Sequence, residues 1–463
     1  MSALWTSEDA AAATEGRARG AWRANGVSID SRTLETGDLY VALKGVNRDG
    51  HDFAAKALKR GACAAMVARI PPGVAQDAPL LIVRDTQSGL EALGRAARAR
   101  TNARIAAVTG SAGKTTTKEM LRHMLARQGD AAASAASYNN RWGVPLSLAR
   151  MKRDSDYGVF EIGMNHEGEI RALVRQVRPH VVLITTIAPA HLEHFGGLEA
   201  IADAKAEIFE GVVEGGTAIL PFDNPQFGRL RSRAKRAGVA NILSFGVRAG
   251  ADARLISAAA TDKGQAVAAE FGAARMEFSI GAPGAHIASN ALAALLAVRA
   301  LGADAARAAA ALADFAPLKG RGARVALEGI ELIDESYNAN PASMSAALSL
   351  LKDARPSGNG RRVAVLGDML ELGESAAKLH RALAKDIASS GTDLVFLCGR
   401  QMRSLWDELP AARRGAYAEV STALAPEVAA RVKSGDVVLV KGSFASRMSV
   451  IVEALKARAE TVQ

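Results

Sequence analysis

The 463-residue chain reads as an α/β protein built from three units. Three observations predict this. A short apolar run, Ile105-Ala106-Ala107-Val108, enters the glycine loop Thr109-Gly110-Ser111-Ala112-Gly113-Lys114-Thr115-Thr116. A helical pattern follows at once, with Met120, Leu121, Met124 and Leu125 on one face. From about residue 104 onward strands and helices alternate, which implies a mainly parallel sheet with helices on both faces. In the last third, apolar runs at 363–366, 394–397 and 437–440 each finish in a polar loop, the pattern of a second doubly wound sheet. The length exceeds what one core accommodates, and the expected boundaries are 1–100, 101–317 and 318–463.

Composition narrows the class. Hydrophobic residues make up 49%, enough for each unit to bury a core. The longest apolar stretches, near 181–187 and 291–298, are too short to span a membrane. The opening MSALWTSEDAAAATEG has acidic residues and no basic region, unlike a signal peptide. Two distant cysteines, Cys63 and Cys398, argue for a reducing compartment and against a disulfide framework or zinc site; a cytoplasmic protein is expected. The net charge of +10 permits an acidic partner, either nucleic acid or a multiply phosphorylated small molecule. The densest basic run, Arg229, Arg231, Arg233, Lys235 and Arg236, lacks interleaved aromatics and reads as a solvated helix face.

In chain order, 10–25 looks helical, 27–32 resembles a strand end, 37–43 a turn and strand, and 47–51 a polar turn. Residues 54–61 read as a helix, and 64–67 and 80–83 as strands. The cluster Asp30-Ser31-Arg32 is either a ligand contact or a surface turn. After the glycine loop, Tyr138-Asn139-Asn140-Arg141-Trp142-Gly143-Val144-Pro145 is either a polar binding loop or a capped helix start. Residues 201–209 form a helix; 242–245 and a β-rich stretch to 278 follow; 281–290 opens a long alanine-rich helix at 291–301. A boundary falls near Pro317, and 319–322 is a basic, glycine-flanked linker.

Several residues carry chemistry. Strand, glycine loop, Lys-Thr and helix form a phosphate-binding loop, in which glycines expose backbone N–H groups, Lys114 reaches outer phosphates and Thr115 holds Mg²⁺. Only two residues separate Gly110 from Gly113, against the usual four before Gly-Lys; the bland alternative is a glycine turn capping an ordinary helix. Glu161 is a carboxylate inside an apolar strand, and His191 follows another strand. In an open parallel sheet both would stand at the ligand-binding edge, where Mg²⁺ would offset the cost of burying Glu161. Taken alone, His191 reads as a structural histidine, and Lys205, mid-helix, as a surface lysine.

These motifs together resemble the Mur ligase family over nearly the whole length. The resemblance rests on Gly110–Thr116; Tyr138-Asn139-Asn140 with Gly143-Val144-Pro145; Glu161; Ala190-His191-Leu192 with Phe195-Gly196; Ala204-Lys205 with Glu207-Ile208-Phe209; and Asn290. In the last unit it rests on Asp334 with Ser336-Tyr337-Asn338-Ala339-Asn340-Pro341, Gly367-Asp368-Met369 with Glu371-Leu372-Gly373, and Lys441-Gly442-Ser443. It implies a small UDP-sugar-binding domain, a central P-loop ATPase domain and a C-terminal Rossmann-like domain. It further implies ATP-dependent joining of D-Ala-D-Ala to UDP-N-acetylmuramoyl-tripeptide through an acyl phosphate, by a monomer with no nucleic-acid partner.

On the same grounds, Gly110, Ser111, Ala112, Gly113, Lys114, Thr115 and Thr116 would bind ATP, with Asn290 at adenine, Arg321 at the phosphates and Asp334 at the ribose. Lys114, Glu161, His191 and Lys205 would be catalytic. Thr115, Glu161, His191 and Lys205, the last as a carbamate, would hold two Mg²⁺ ions. Ser31, Arg32, Asn139, Asn140, Tyr337, Asn338, Asn340, Asp368, Met369, Lys441 and Ser443 would contact the substrates, and 316–322 would be a closing hinge. The sequence departs from the family pattern at Thr186 and Ala188, where Asn and Gly are usual, and at Phe444, where Arg is usual; Arg447 and Arg400 are cations that would replace that charge. Two rival readings remain. A folylpolyglutamate synthase-like ligase should lack the Tyr-Asn-Ala-Asn-Pro and Gly-Asp-Met motifs. A nucleotide-regulated RNA-binding protein leaves Glu161 and His191 without a purpose.

Overall fold

The computed structural model describes residues 3–135 and 137–461. Its centre is a nine-stranded sheet. Six strands run parallel in the order Ala131–Ala133, Tyr157–Glu161, Arg104–Thr109, Val181–Ile184, Thr217–Pro221 and Asn241–Gly246; Ala253–Thr261 joins them in parallel and continues as an antiparallel meander through Gly264–Phe271 to Ala274–Ile280. Alternation along each central strand explains the apolar runs. Ala106 and Val108 face one core, with Met120, Leu121 and the helix Ala285–Ala300. Ile105 and Ala107 face the other, with Phe160, Ile170 and Ile201.

The third sheet has six strands, ordered Ala323–Leu327, Ile330–Glu335, Val437–Lys441, Arg362–Gly367, Leu394–Cys398 and Arg414–Ala418, all parallel except the first hairpin. Its register puts Glu335 and Leu366 level with Lys441, and Gly367 level with Cys398. The loops after these strands therefore gather at one edge. The N-terminal sheet has five short strands, with Arg17–Arg19 antiparallel to Leu80–Ile82 at one side.

The expected helix over 10–25 is not formed. The helix is Ser7–Thr14; Glu15, in the left-handed conformation at φ 51°, ends it, and the chain turns into Arg17–Arg19. Gly16 lies so close to Ile82 O and Val83 that a β-carbon there would clash, so the alanine run yields to sheet pairing. The expected helix at 201–209 is α-helical over Leu198–Ala206 and then tightens to a 3₁₀ turn at Glu207–Gly211. The basic run lies on the helix Phe227–Arg236, where Arg229 and Arg233 pair with Asp203. Among the described residues no helix is long and apolar enough to cross a membrane.

The first two sheets share a wall. The helix Gly143–Ala149 gives Val144 and Leu148 to the central core and Leu146 and Ala149 to the N-terminal core. Trp5 Nε1 donates to Ala149 O (2.8 Å), and buried Arg98 donates to Val177 O and Arg178 O (both 2.8 Å). Charged donors to buried carbonyls are worth about 1.5–3 kcal/mol each in net stability. Arg98→Ala is expected to lower unfolding stability by about 2–3 kcal/mol while leaving nucleotide affinity intact. Denaturant melts with parallel nucleotide titrations would check this, and unchanged stability would refute it.

Candidate active site

The phosphate loop sits where its strand, Arg104–Thr109, lies between Tyr157–Glu161 and Val181–Ile184. The three carboxyl ends come level, Glu161 beside Val108 and Ile184 beside Thr109, so one loop and two strand ends share a site. Gly110 has φ 148°, and a β-carbon there would collide with the Thr185 hydroxyl; Gly113 has φ 79°, and its β-carbon would sit 2.7 Å from Asn290 Nδ2. Both glycines are thus demanded by backbone conformation and by close approach. Thr185 Oγ1 donates to Ala112 O (2.5 Å), and Ser111 Oγ bridges Ala188 O and Ala188 N. The helix Lys114–Leu125 starts directly after Gly113 and aims its N-terminus at the loop.

A cavity of about 640 Å³ opens over this loop. Ser111, Ala112, Gly113, Lys114, Thr115, Thr116, Asn139, Glu161, His191, Lys205 and Asn290 line it from the central sheet; Arg321, Tyr337, Asn338, Asn340 and Lys441 line it from the third. Glu161, 1% exposed, accepts from Thr115 Oγ1 and from Asn139 Nδ2, each at 2.7 Å. Lys114 Nζ donates to Gly110 O (2.8 Å). Burial holds the Lys114 ammonium below the usual lysine range, with Glu161 opposing and Arg321 adding to that effect.

Lys205 corrects the surface-lysine reading that spacing favours. It is 2% exposed, and none of the described residues accepts a hydrogen bond or forms an ion pair with its amine. Burial first, and the Lys114 charge second, push its pKa well below the ordinary lysine value. His191 is likewise not a histidine satisfied within a core. It lines the cavity, has φ 56°, and its Nδ1 lies 2.5 Å from Glu371 Oε2 of the third unit.

The third unit is seated on the second through named contacts. Arg321 Nη2 donates to Ser137 Oγ (2.8 Å), and its guanidinium lies 4.0 Å from the centroid of the Tyr337 ring. Tyr337 in turn contacts Phe444, with centroids 5.8 Å apart. Asn340 caps the helix Pro341–Asp353 and also donates to Ser111 O (2.9 Å). Buried Lys441 donates to Glu335 Oε2 and Asn338 O, both at 3.0 Å.

Other expected residues lie elsewhere. Asp334 does not line the cavity; its carboxylate accepts from Gly320 N, Ser336 N and Ser336 Oγ, bracing the loop that carries Arg321. Asn140 caps the helix Gly143–Ala149 through Trp142 N and Gly143 N, so the loop divides: Asn139 serves the cavity, Asn140 the helix. Asp368, Met369 and Ser443 stand outside the cavity, tied to one another's loops. Ser31 and Arg32 are also remote from it, and exposed Arg32 closes on Asp30 (2.7 Å) as a surface turn would. Neither Arg400, paired with Glu419, nor Arg447 lines the cavity, so neither replaces the usual arginine at Phe444 in this arrangement. Among the lining residues that sequence reasoning misses are Ser137, Thr185, His286 and Glu335. Thr185, one residue past a strand end, and Glu335, the last residue of its strand, carried a positional signal.

Thr115 and Glu161 offer hard oxygen donors beside the phosphate loop, a set that suits Mg²⁺, which keeps few protein ligands and takes the rest from phosphate and water. Among the described residues no group of three or more His, Cys, Asp and Glu side chains gathers as a self-sufficient metal cage. The prediction from the loop geometry is direct. Gly110→Ala should weaken ADP binding at least about tenfold, since backbone N–H groups set phosphate affinity here. Fluorescence titration with a nucleotide analogue would read it, and wild-type affinity would show that the loop tolerates the displacement.

Comparisons with known proteins agree with this layout. The Mur ligase catalytic-domain profile matches residues 23–101, the middle-domain profile 108–298, and the glutamate ligase domain profile 320–444. The UDP-N-acetylmuramoyl-tripeptide–D-alanyl-D-alanine ligase of Escherichia coli is 36% identical, covering 93% of each chain; that of Rickettsia prowazekii is 33% identical over 97% of this chain and 99% of its own. The crystal structure of MurF from Acinetobacter baumannii superposes with a TM-score of 0.85 at 30% identity, covering 98% of this chain and 99% of that one. MurF from Thermotoga maritima, solved in complex with ADP, gives 0.79 at 28% identity, covering 95% and 98%. With three profiles in sequence order and full-length relatives above 30% identity, the chain belongs to the Mur ligase family.

Proposed function

We propose that the chain joins D-Ala-D-Ala to UDP-N-acetylmuramoyl-tripeptide at the expense of ATP, in cytoplasmic assembly of peptidoglycan precursors. One observation carries this reading: a single cavity draws its walls from the phosphate loop, from Glu161, His191 and Lys205, and from the third unit's Arg321, Tyr337, Asn338, Asn340 and Lys441. Phosphate, carboxylate and amine can therefore meet in one place. Full-length relatives named for this reaction support the choice of substrates.

The reaction has two steps. The terminal carboxylate of the tripeptide takes the γ-phosphoryl group, releasing ADP. The amine of the dipeptide then attacks the acyl carbon, loses a proton and expels inorganic phosphate. Backbone N–H groups at 110–113 cradle the phosphates, and Lys114 and Arg321 hold the charge on the transferring group. Asn290 contacts adenine. Bound Mg²⁺ neutralises phosphate and carboxylate oxygens; Thr115 and Glu161 would hold one ion, and Glu161, His191 and carbamylated Lys205 a second. The carbamate reading is supported by a buried amine without an acceptor among the described residues: in its deprotonated form it adds to CO₂ and gives up a proton, leaving a carbamate anion. Asn338, Asn340, Tyr337 and Lys441 would contact the dipeptide, and seating the third unit excludes water from the acyl phosphate.

Phosphate release should require ATP, Mg²⁺, UDP-N-acetylmuramoyl-tripeptide and D-Ala-D-Ala together, with diaminopimelate and lysine tripeptides run in parallel, and Lys114→Ala should abolish it. Turnover with another carboxylate and amine pair instead would move the chain to a different ligase of the superfamily. RNA binding without ATP turnover would remove the ligase reading. Lys205→Ala should lose nearly all activity and recover part of it with small carboxylic acids such as formate or acetate. An unimpaired variant would remove the carbamate.

A further inference from the structure

The Gly367-Asp368-Met369 and Lys441-Gly442-Ser443 loops are tightly built yet do not line the cavity at Asp368, Met369 or Ser443. Ser443 N donates to Asp368 O (2.9 Å), Leu370 N to Ser443 Oγ (2.9 Å), and Met369 N to His380 Nε2 (3.0 Å). Asp368 accepts from Met402 N and Gln401 N. What this scaffold presents is Glu371, whose Oε2 lies 2.5 Å from Nδ1 of His191 on the central unit. The backbones meet at the same point: Glu193 N donates to Glu371 O (3.2 Å), a β-carbon on Gly373 would sit 3.4 Å from Glu193 Cα, and Leu192 packs on the third unit's core. His191 and Glu371 both adopt the left-handed conformation, at φ 56° and 62°, which is uncommon for residues other than glycine. Two strained backbones facing each other across the units mark a contact held for its side chains.

We propose that Glu371 is a positioning residue for His191, and that the third unit's loop completes the metal site of the central unit. A carboxylate oxygen only accepts, so the close approach of Glu371 Oε2 favours the neutral tautomer of His191 that carries its proton on Nδ1. Nε2 is then the ring nitrogen left with a lone pair for the cavity that His191 lines. Metal-ligating histidines are commonly oriented in this way by a carboxylate on the other nitrogen; here that carboxylate arrives from a different unit, so seating of the third unit and ordering of the ligand become one event.

This inference rests on the reading of His191 as a metal ligand, and the test separates the two. Mn²⁺ binding to the full chain, saturated with a non-hydrolysable ATP analogue, would be followed by electron paramagnetic resonance, with spin-echo modulation from imidazole nitrogen as a second signal. His191→Ala should abolish the nitrogen modulation and weaken the second Mn²⁺. Glu371→Ala should weaken that Mn²⁺ about tenfold and diminish the modulation, the isosteric Glu371→Gln should fall between it and wild type, and the double variant should bind no more weakly than His191→Ala alone. Melting curves would confirm that each variant is folded. Wild-type Mn²⁺ affinity in folded Glu371→Ala and Glu371→Gln, or additive losses in the double variant, would overturn the positioning role while leaving His191 as a ligand. No effect of His191→Ala would overturn both.

Discussion

Two lysine side chains, half-buried Lys114 and buried Lys205, lie close enough for the Lys114 charge to act on Lys205, and the rest of the structure depends on how that repulsion is met. Taking even one ammonium out of water costs several kcal/mol unless an anion compensates it. Glu161 compensates Lys114 in part and is itself committed to Thr115 and Asn139. Lys205 has no such partner among the described residues. Such a cavity is electrostatically incomplete until anions enter, and a reaction that gathers phosphate, carboxylate and acyl phosphate supplies them.

The fold brings these groups together by register. Parallel strands ending level deliver a glycine loop, a carboxylate and a threonine pair to one edge of the central sheet, and a second parallel sheet delivers Glu335, Lys441 and the 336–340 loop to its own edge. Setting edge against edge forms the cavity. Small residues permit the approach: Gly110 against Thr185 and Gly113 against Asn290 leave no room for a β-carbon. Polar loops that do not touch the cavity act at one remove, as Asp334 does for Arg321 through Gly320.

Much of this was legible in the sequence because strong local signals and global fold agree there. The strand at 64–67, the phosphate loop and the strand-end loops of the last unit all combine apolar runs with turn residues. Legibility failed where tertiary contact overrode local preference. The alanines after residue 10 favour helix, but pairing of Arg17–Arg19 with Leu80–Ile82 ends it. Lys205 has the spacing of a surface lysine, and only the folded arrangement, with Lys205 lining the cavity at 2% exposure, reveals its burial. Asn139 and Asn140 are chemically identical neighbours with different duties, which no pattern in one sequence separates. Glu335 and His286 become site residues only when two units meet.

The two interfaces within the chain differ in kind, and the difference bears on turnover. Between the first and second units, Trp5, Leu146 and Ala149 are buried in a shared core and Arg98 is locked onto two carbonyls. That interface has the apolar, continuous character of a fixed joint. Between the second and third units the named ties are mostly polar: Arg321 with Ser137, Asn340 with Ser111, Glu193 with Glu371 O and His191 with Glu371, beside the packing of Leu192 on the third unit's core. Polar contacts of this kind, partly open to water, contribute about 0.5–1.5 kcal/mol each. A few of them hold a unit in place without making its release slow. A ligase that must admit a nucleotide, a large peptide-bearing acceptor and a dipeptide, protect an acyl phosphate, and then let three products leave needs an interface of that strength: enough to assemble Arg321 and Glu371 over the phosphate loop, too little to keep them there once the anions have gone.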